Sequence, residues 1–209
     1  DALQAGAVDF VRKPDMTRNN NVTSFINGLA GKISIASRAK VRVPGTASAL
    51  PSMPQNSAAL TCNMSALSQN NTVIAIGAST GGTEATLEVV RNLPANTPGI
   101  VVTQHMPEGF TKMYAERLNR ICKMEAKEAE NGDKIQKGRI LVAPGNLQMR
   151  VVRVGVSYTV SCASGPKVSG HRPSVDVLFQ SMASSVGKNG IGSILTGMGK
   201  DGAAGLLER

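Results

Sequence analysis

The chain has no tryptophan, two tyrosines and four phenylalanines, so aromatic residues fill only 3% of its 209 positions. Its core must be built from Val, Ile, Leu, Met and Ala, and few rings exist on which nucleic-acid bases could stack. Three cysteines, Cys62, Cys122 and Cys162, are odd in number and far apart. They form neither a CxxC pair nor a disulfide framework, which favours a reducing, cytoplasmic setting. With only two histidines, His105 and His171, a histidine-rich metal site is excluded and any imidazole chemistry has two candidates. No apolar run approaches the ~20 residues of a membrane span. The opening "DALQAGAVDF" lacks the basic and apolar regions of a secretory signal. It also lacks an initiator Met, so the sequence reads as a piece of a longer protein.

Charge of one sign is scarce in places. The net charge is +9, which raises nucleic acid as a partner. Residues 37–70 carry three basic groups and no acidic one, and residues 71–209 carry 16 basic and 11 acidic groups. No dense Lys/Arg run occurs. A mild, spread positive field without aromatic platforms suits an acidic protein surface better than nucleic acid.

Three regions separate by composition. Residues 1–36 hold a helix end, a short strand "VDFV", Lys13-Pro14 and a polar helix over about 18–35, too little to bury a core alone. Residues 37–70, with Pro44, Pro51 and Pro54 among many Ser and Ala, read as a flexible linker. From residue 71 apolar strands alternate with amphipathic helices: strands at "TVIAIG", "GIVVTQ" and "GIGSILT", helices over 82–92, 110–122 and 173–186. Short strands fall near 124–128 and 139–143, and 148–162 reads as a hairpin turning at Gly155. Ser174 is placed as an N-cap. This pattern predicts an α/β fold, a mostly parallel doubly wound sheet with an antiparallel hairpin excursion. The chain stops inside the helix that begins near 202, so the domain reads as C-terminally truncated.

In an open parallel sheet, ligands sit outside the carboxyl ends of the strands. Three such ends carry reactive side chains here: Ser79, His105 and Asp201. Gly77-Ala78-Ser79-Thr80-Gly81 fits G-x-S-x-G between a strand and a helix. The helix start offers unpaired N–H groups to a developing oxyanion. A serine hydroxyl needs a base, and an imidazole needs a carboxylate to set its tautomer. Taken singly, Ser79 is equally a helix cap, His105 a loop residue and Asp201 an N-cap; together they point to a hydrolase. A dinucleotide site is disfavoured, because the second strand ends in Thr103-Gln104-His105 with no acid for a ribose. A P-loop is absent.

"IAIGASTGGTEA", "VVTQHMPEGFTKMYAERLN", "APGNLQM", "HRPSVDVLFQSMA" and "ILTGMGKDGAAGLL" occur in that order. Together they resemble the protein-glutamate methylesterases of bacterial chemotaxis, the CheB family, from about residue 72 to the end. "ALQAGAVDFVRKP" resembles the tail of a response-regulator receiver domain. The family's plan therefore implies a receiver fragment at 1–36, a linker at 37–70 and a catalytic domain at 71–209.

The resemblance implies a catalytic triad of Ser79, His105 and Asp201, with methyl esters of glutamate on chemoreceptor helices as substrate and glutamine deamidation as a second activity. Thr80 and Met198 match positions lining the family's active site. For Met198, a backbone oxyanion donor and a packed side chain both stand open; Thr80 is expected to act through its N–H or by steadying His105. His171 and Arg172 lie in a segment that resembles a cleft wall. No metal or organic cofactor is needed. The implied partners are methyl-accepting chemoreceptors and, through a full-length receiver, the chemotaxis histidine kinase, at the inner face of the membrane but not inserted in it. Lys13 is the one matching receiver-site residue, so phosphorylation control is implied only for a full-length protein. A receptor-docking module without catalysis and a general esterase are the alternatives.

Overall fold

The computed structural model describes residues 11, 22–37 and 72–208. The expected strand near residue 10, Lys13 and the expected linker over 37–70 lie, apart from Val11 and Ser37, outside the described residues. The chain divides into two units, Asp1–Met64 and Ser65–Arg209. In the first, α1 spans Val22–Ala36, ending one residue beyond the helix expected over about 18–35.

In the second unit, two apolar runs form the centre of a sheet. β1 (Val73–Ala78) and β2 (Gly99–Gln104) pair in parallel, Val73 opposite Gly99 and Ala78 opposite Gln104. Every residue of β2 is buried, as expected for a strand covered on both faces. The sheet order is β3-β5-β2-β1-β8, with β3 at Glu125–Glu128, β5 at Arg139–Val142 and β8 at Gly190–Ile194. All four pairings are parallel. A separate antiparallel sheet, β4-β7-β6, is built from Lys134–Ile135, Ser157–Ala163 and Gln148–Val154, and Gly155 turns the hairpin at φ 60°.

Four helices accompany these strands: α2 (Gly82–Val90), α3 (Phe110–Ile121), α4 (Val175–Ser185) and α5 (Ala203–Leu207). α4 joins the two sheets. Its Leu178, Phe179 and Met182 are buried in one cluster with Val73, Val101 and Leu141 of the parallel sheet and Met149, Val151 and Val160 of the hairpin. Each such apolar side chain contributes roughly 1.5–3 kcal/mol when fully buried. Ser174 caps α4 by accepting from the N–H of Val177, as its sequence position predicts. α5 closes on α4 through the N–H of Gly205, which donates to the Asp176 carboxylate at 2.9 Å.

One close approach positions the site. A Cβ on Gly77 would lie 2.2 Å from Cγ1 of Val175, so glycine at the end of β1 lets the N-terminus of α4 sit directly over it. The active edge thus receives a helix start from α4 as well as from α2.

Candidate active site

The carboxyl ends of β1, β2 and β8 are stitched together by backbone bonds. The N–H of Ser79 donates to the Thr196 carbonyl at 2.9 Å, that of His105 to the Ala78 carbonyl at 3.1 Å, and that of Leu195 to the Gly77 carbonyl at 2.9 Å. Gln104, a buried amide ending β2, donates from Nε2 to the carbonyl of Ser79 at 2.8 Å and, less closely, to that of His105 at 3.4 Å. It braces both residues at once. Sequence reasoning missed this role, although a polar residue closing an otherwise apolar strand was its visible signal.

From this frame the three side chains at the strand ends meet. His105 Nε2 lies 2.7 Å from Asp201 Oδ2, and His105 Nδ1 lies 3.1 Å from Ser79 Oγ. An ionised carboxylate only accepts, so Nε2 carries the proton and donates to Asp201; Nδ1 is left to accept from the serine hydroxyl. Turning the ring over would put carbon at both positions and lose both bonds, so the contacts themselves set its orientation. In the chymotrypsin arrangement the two nitrogens have the opposite partners. The side chains of His105 and Asp201 are 10% and 3% exposed, dry enough for these bonds to gain strength.

Two single-residue alternatives from the sequence fail on geometry. Ser79 does not cap α2: the N-cap is Gly81, in the left-handed region at φ 74°, with no side-chain cap bond. The sharp turn after β1 thus falls on Gly81, and Ser79 has no positive φ. Nor does Asp201 cap the helix that follows it, where Gly202 is the N-cap. Its carboxylate turns instead to the start of α4, accepting from the N–H of Val175 at 2.8 Å, the N–H of Asp176 at 3.2 Å and the hydroxyl of Ser174 at 2.7 Å. Burial alone would raise the Asp201 carboxyl. The bonds from His105, Ser174, Val175 and Asp176 outweigh it and hold the carboxyl well below the usual range.

His171 stacks on His105, with ring centroids 3.7 Å apart and planes 8° from parallel. Burial pushes the His171 ring below its ordinary value, the neighbouring His105 and Lys167 push the same way, and Asp201 opposes them. Arg172 ties two loops together: its guanidinium donates to the side chain of Asn146, between β5 and β6, and to the Gly165 carbonyl of its own loop. Thr80 is buried at 4% exposure, whereas Met198 is 51% exposed. A small cavity of about 70 Å³ is lined by Ser79, His105, Thr196, Gly197, Met198 and Asp201, among others. A larger one of about 530 Å³ lies between α3 and β3, among Lys112, Glu116, Arg120 and Glu128. It holds none of the relay residues, which line the small one.

The fold and site define an α/β protein with a serine–histidine–aspartate relay on the carboxyl edge of a parallel sheet. The chain belongs to the CheB methylesterase family, whose profile matches residues 74–208. It is 51% identical over 207 residues to protein-glutamate methylesterase/protein-glutamine glutaminase 2 of Syntrophomonas wolfei subsp. wolfei, covering 99% of this chain and 58% of that protein. It is 47% identical over 207 residues to the protein-glutamate methylesterase/protein-glutamine glutaminase of Thiobacillus denitrificans, covering 99% of this chain and 57% of that protein. The chain therefore spans under three fifths of the length of these relatives. The crystal structure of the Thermotoga maritima CheB methylesterase catalytic domain superposes with a TM-score of 0.65 at 36% identity, over 66% of this chain and 74% of that one. Among the described residues, no helix is long and apolar enough to cross a membrane.

Proposed function

We propose that the unit beginning near residue 71 hydrolyses the γ-methyl esters of glutamate side chains on chemoreceptor cytoplasmic helices, and deamidates receptor glutamines at the same site. The observation that carries the reading is the unbroken chain from Ser79 Oγ through His105 to Asp201, in a family whose similar members bear both activities in their names.

Ser79 Oγ attacks the ester carbonyl while His105 Nδ1 takes its proton. Charge collects on the carbonyl oxygen of the tetrahedral intermediate. His105 then gives that proton to the departing methoxide, methanol leaves, and an acyl-serine remains. Water, deprotonated by His105, attacks the acyl carbon; the proton returns to Ser79 Oγ and free glutamate is released. With glutamine as substrate the same steps expel ammonia. Asp201 holds the imidazole in the tautomer that leaves Nδ1 as acceptor and supports the imidazolium. The backbone N–H of Met198 is assigned to the oxyanion: it has no protein acceptor among the described residues, and its turn lines the Ser79 cavity. Thr80, following the nucleophile, is assigned as the second donor. His171 is read as a wall of the site above His105, and Arg172 as the brace of that wall.

Residues 1–36 are read as the end of a receiver domain and 37–70 as its tether, giving the full-length protein a cytoplasmic, receptor-associated place and the chemotaxis histidine kinase as a partner. The test is methanol release from a methyl-labelled chemoreceptor cytoplasmic fragment by this chain and by Ser79→Ala. Release that disappears in the variant supports the reading. Receptor binding without release from the parent chain sinks it in favour of a docking module, and release from small p-nitrophenyl esters alone would mark a general esterase.

A further inference from the structure

The Asp201 carboxylate accepts four hydrogen bonds, two on each oxygen, and only one of them comes from His105. The other three come from the first residues of α4: the hydroxyl of Ser174 and the N–H groups of Val175 and Asp176. The helix start that would attract an anion from solution is thus filled by the protein's own carboxylate. Ser174 has no solvent exposure. Its oxygen accepts from the N–H of Val177 at 3.4 Å, so its single proton is free for Asp201 Oδ1 at 2.7 Å. Its backbone is held as well. The Ser174 N–H donates at 2.8 Å to Oε1 of Gln148, a fully buried amide whose Nε2 donates to the carbonyls of Pro166 and His171.

We infer that Ser174 is a positioning residue for the hydrolysis, aiming the Asp201 carboxylate at His105 through its hydroxyl while capping α4 with the same oxygen. The two backbone donors take one oxygen each, Val175 on Oδ2 at 2.8 Å and Asp176 on Oδ1 at 3.2 Å; the hydroxyl, at 2.7 Å, is the shorter of the two bonds on Oδ1 and so reinforces the rotation that leaves Oδ2 turned to His105 Nε2. Gln148 keeps the hydroxyl in place from behind and ties the loop bearing His171 to the same frame. The inference rests on the proposed role of Asp201 as partner of the base.

Capping and aiming are separable by substitution. Glycine caps a helix nearly as well as serine, whereas alanine does not, and threonine retains both the cap and the hydroxyl donor. Ser174→Gly, Ser174→Ala and Ser174→Thr are compared with the parent chain in two assays: methyl-ester hydrolysis on the receptor fragment, and the rate at which a small fluorophosphonate phosphonylates Ser79. The second assay needs no ester substrate. Expected are a fall of about tenfold or more in kcat for both Gly and Ala, as suits a lost bond to a charged group, unchanged KM, a parallel fall in the maximal phosphonylation rate, and near-parent rates for Thr. A loss that follows melting temperature, severe for Ala and slight for Gly, would assign Ser174 to capping alone and overturn the inference. So would a rise confined to KM. A parent chain that is phosphonylated but releases no methanol sinks the methylesterase reading, and the Ser174 inference is then decided by the phosphonylation rates. A parent chain that is not phosphonylated overturns both.

Discussion

The imidazoles of His105 and His171 lie face to face, their centroids 3.7 Å apart and their planes within 8° of parallel. The two histidines are thereby given different work. His105 has both nitrogens engaged, by Ser79 and by Asp201. His171 covers its face, and burial with the nearby His105 and Lys167 favours the uncharged form. An uncharged ring in that place covers one face of His105 without setting a second full charge against it.

His171 leaves a trace in the pH dependence of stability. A histidine whose folded pKa lies below its ordinary 6.5 binds fewer protons folded than unfolded. Its contribution is complete above that ordinary value and is lost as pH falls through it toward the folded value. Urea unfolding between pH 7.5 and 5 should show a steeper loss for the parent chain than for His171→Phe, which keeps a flat ring and cannot titrate. Equal slopes would mean that His171 is as easily protonated folded as unfolded. His171→Phe should also retain more hydrolysis than His171→Ala.

Asp201→Asn should reduce kcat by about three to four orders of magnitude, the scale seen when such a carboxylate is neutralised and the tautomer is wrong. Its stability signature is on the acid side. The Asp201 carboxyl is held below the usual range by its four donors, so its contribution is present above the unfolded value near 3.8 and disappears as pH falls toward the folded one. Between pH 5 and 2.5 the asparagine variant should lose less unfolding free energy than the parent. A larger loss in the variant would contradict the assigned hydrogen bonds.

Gly197→Ala tests how tightly the last turn presses on Ser79. A Cβ there would stand 2.7 Å from Cβ of Ser79, closer than packing allows, so the serine or the turn must shift. Overpacking of this kind costs about 1–3 kcal/mol, and hydrolysis should fall by at least tenfold while circular dichroism stays that of the parent. Gly165→Ala is the control: its Cβ meets Gln148 Cγ at an ordinary 3.7 Å, and its activity should change little.

Away from the relay, Arg117 of α3 is 8% exposed at its side chain and reaches Glu84 of α2 through two hydrogen bonds, the second at 3.1 Å. Glu84→Gln should lower unfolding free energy by about 1–2 kcal/mol, because a nearly buried guanidinium loses its charged acceptor. kcat should not move. A variant as stable as the parent would show that solvent serves Arg117 equally well.

Local pattern carries far in this chain. β1 is a continuous apolar run and β2 and β5 carry apolar centres, the Gly155 turn announces the hairpin, and Ser174 sits where an N-cap belongs; each signal is local, and each element forms where expected. The meeting of Ser79, His105 and Asp201 followed from the rule that functional side chains gather at the carboxyl ends of parallel strands. Non-local choices were not legible. β4 is two residues long and exists because Lys134 and Ile135 pair with Thr159 and Tyr158, a partnership without local periodicity. Asp201 looks like the cap of the helix after it, yet it serves the start of α4, 26 residues earlier in the chain. The ring stack joins a strand end to a loop and likewise has no signature in spacing.

The order of strands in the sheet also decides how far apart in sequence the members of the relay lie. Ser79 and His105 are 26 residues apart and end neighbouring strands joined by one helix, so they can meet early. Asp201 is 96 residues beyond His105 and follows β8, which docks on the far side of β1. Contacts so distant in sequence form late, after the entropy of closing long loops has been overcome. The three-residue relay is complete only when Asp201 and β8 are both in place beside β1.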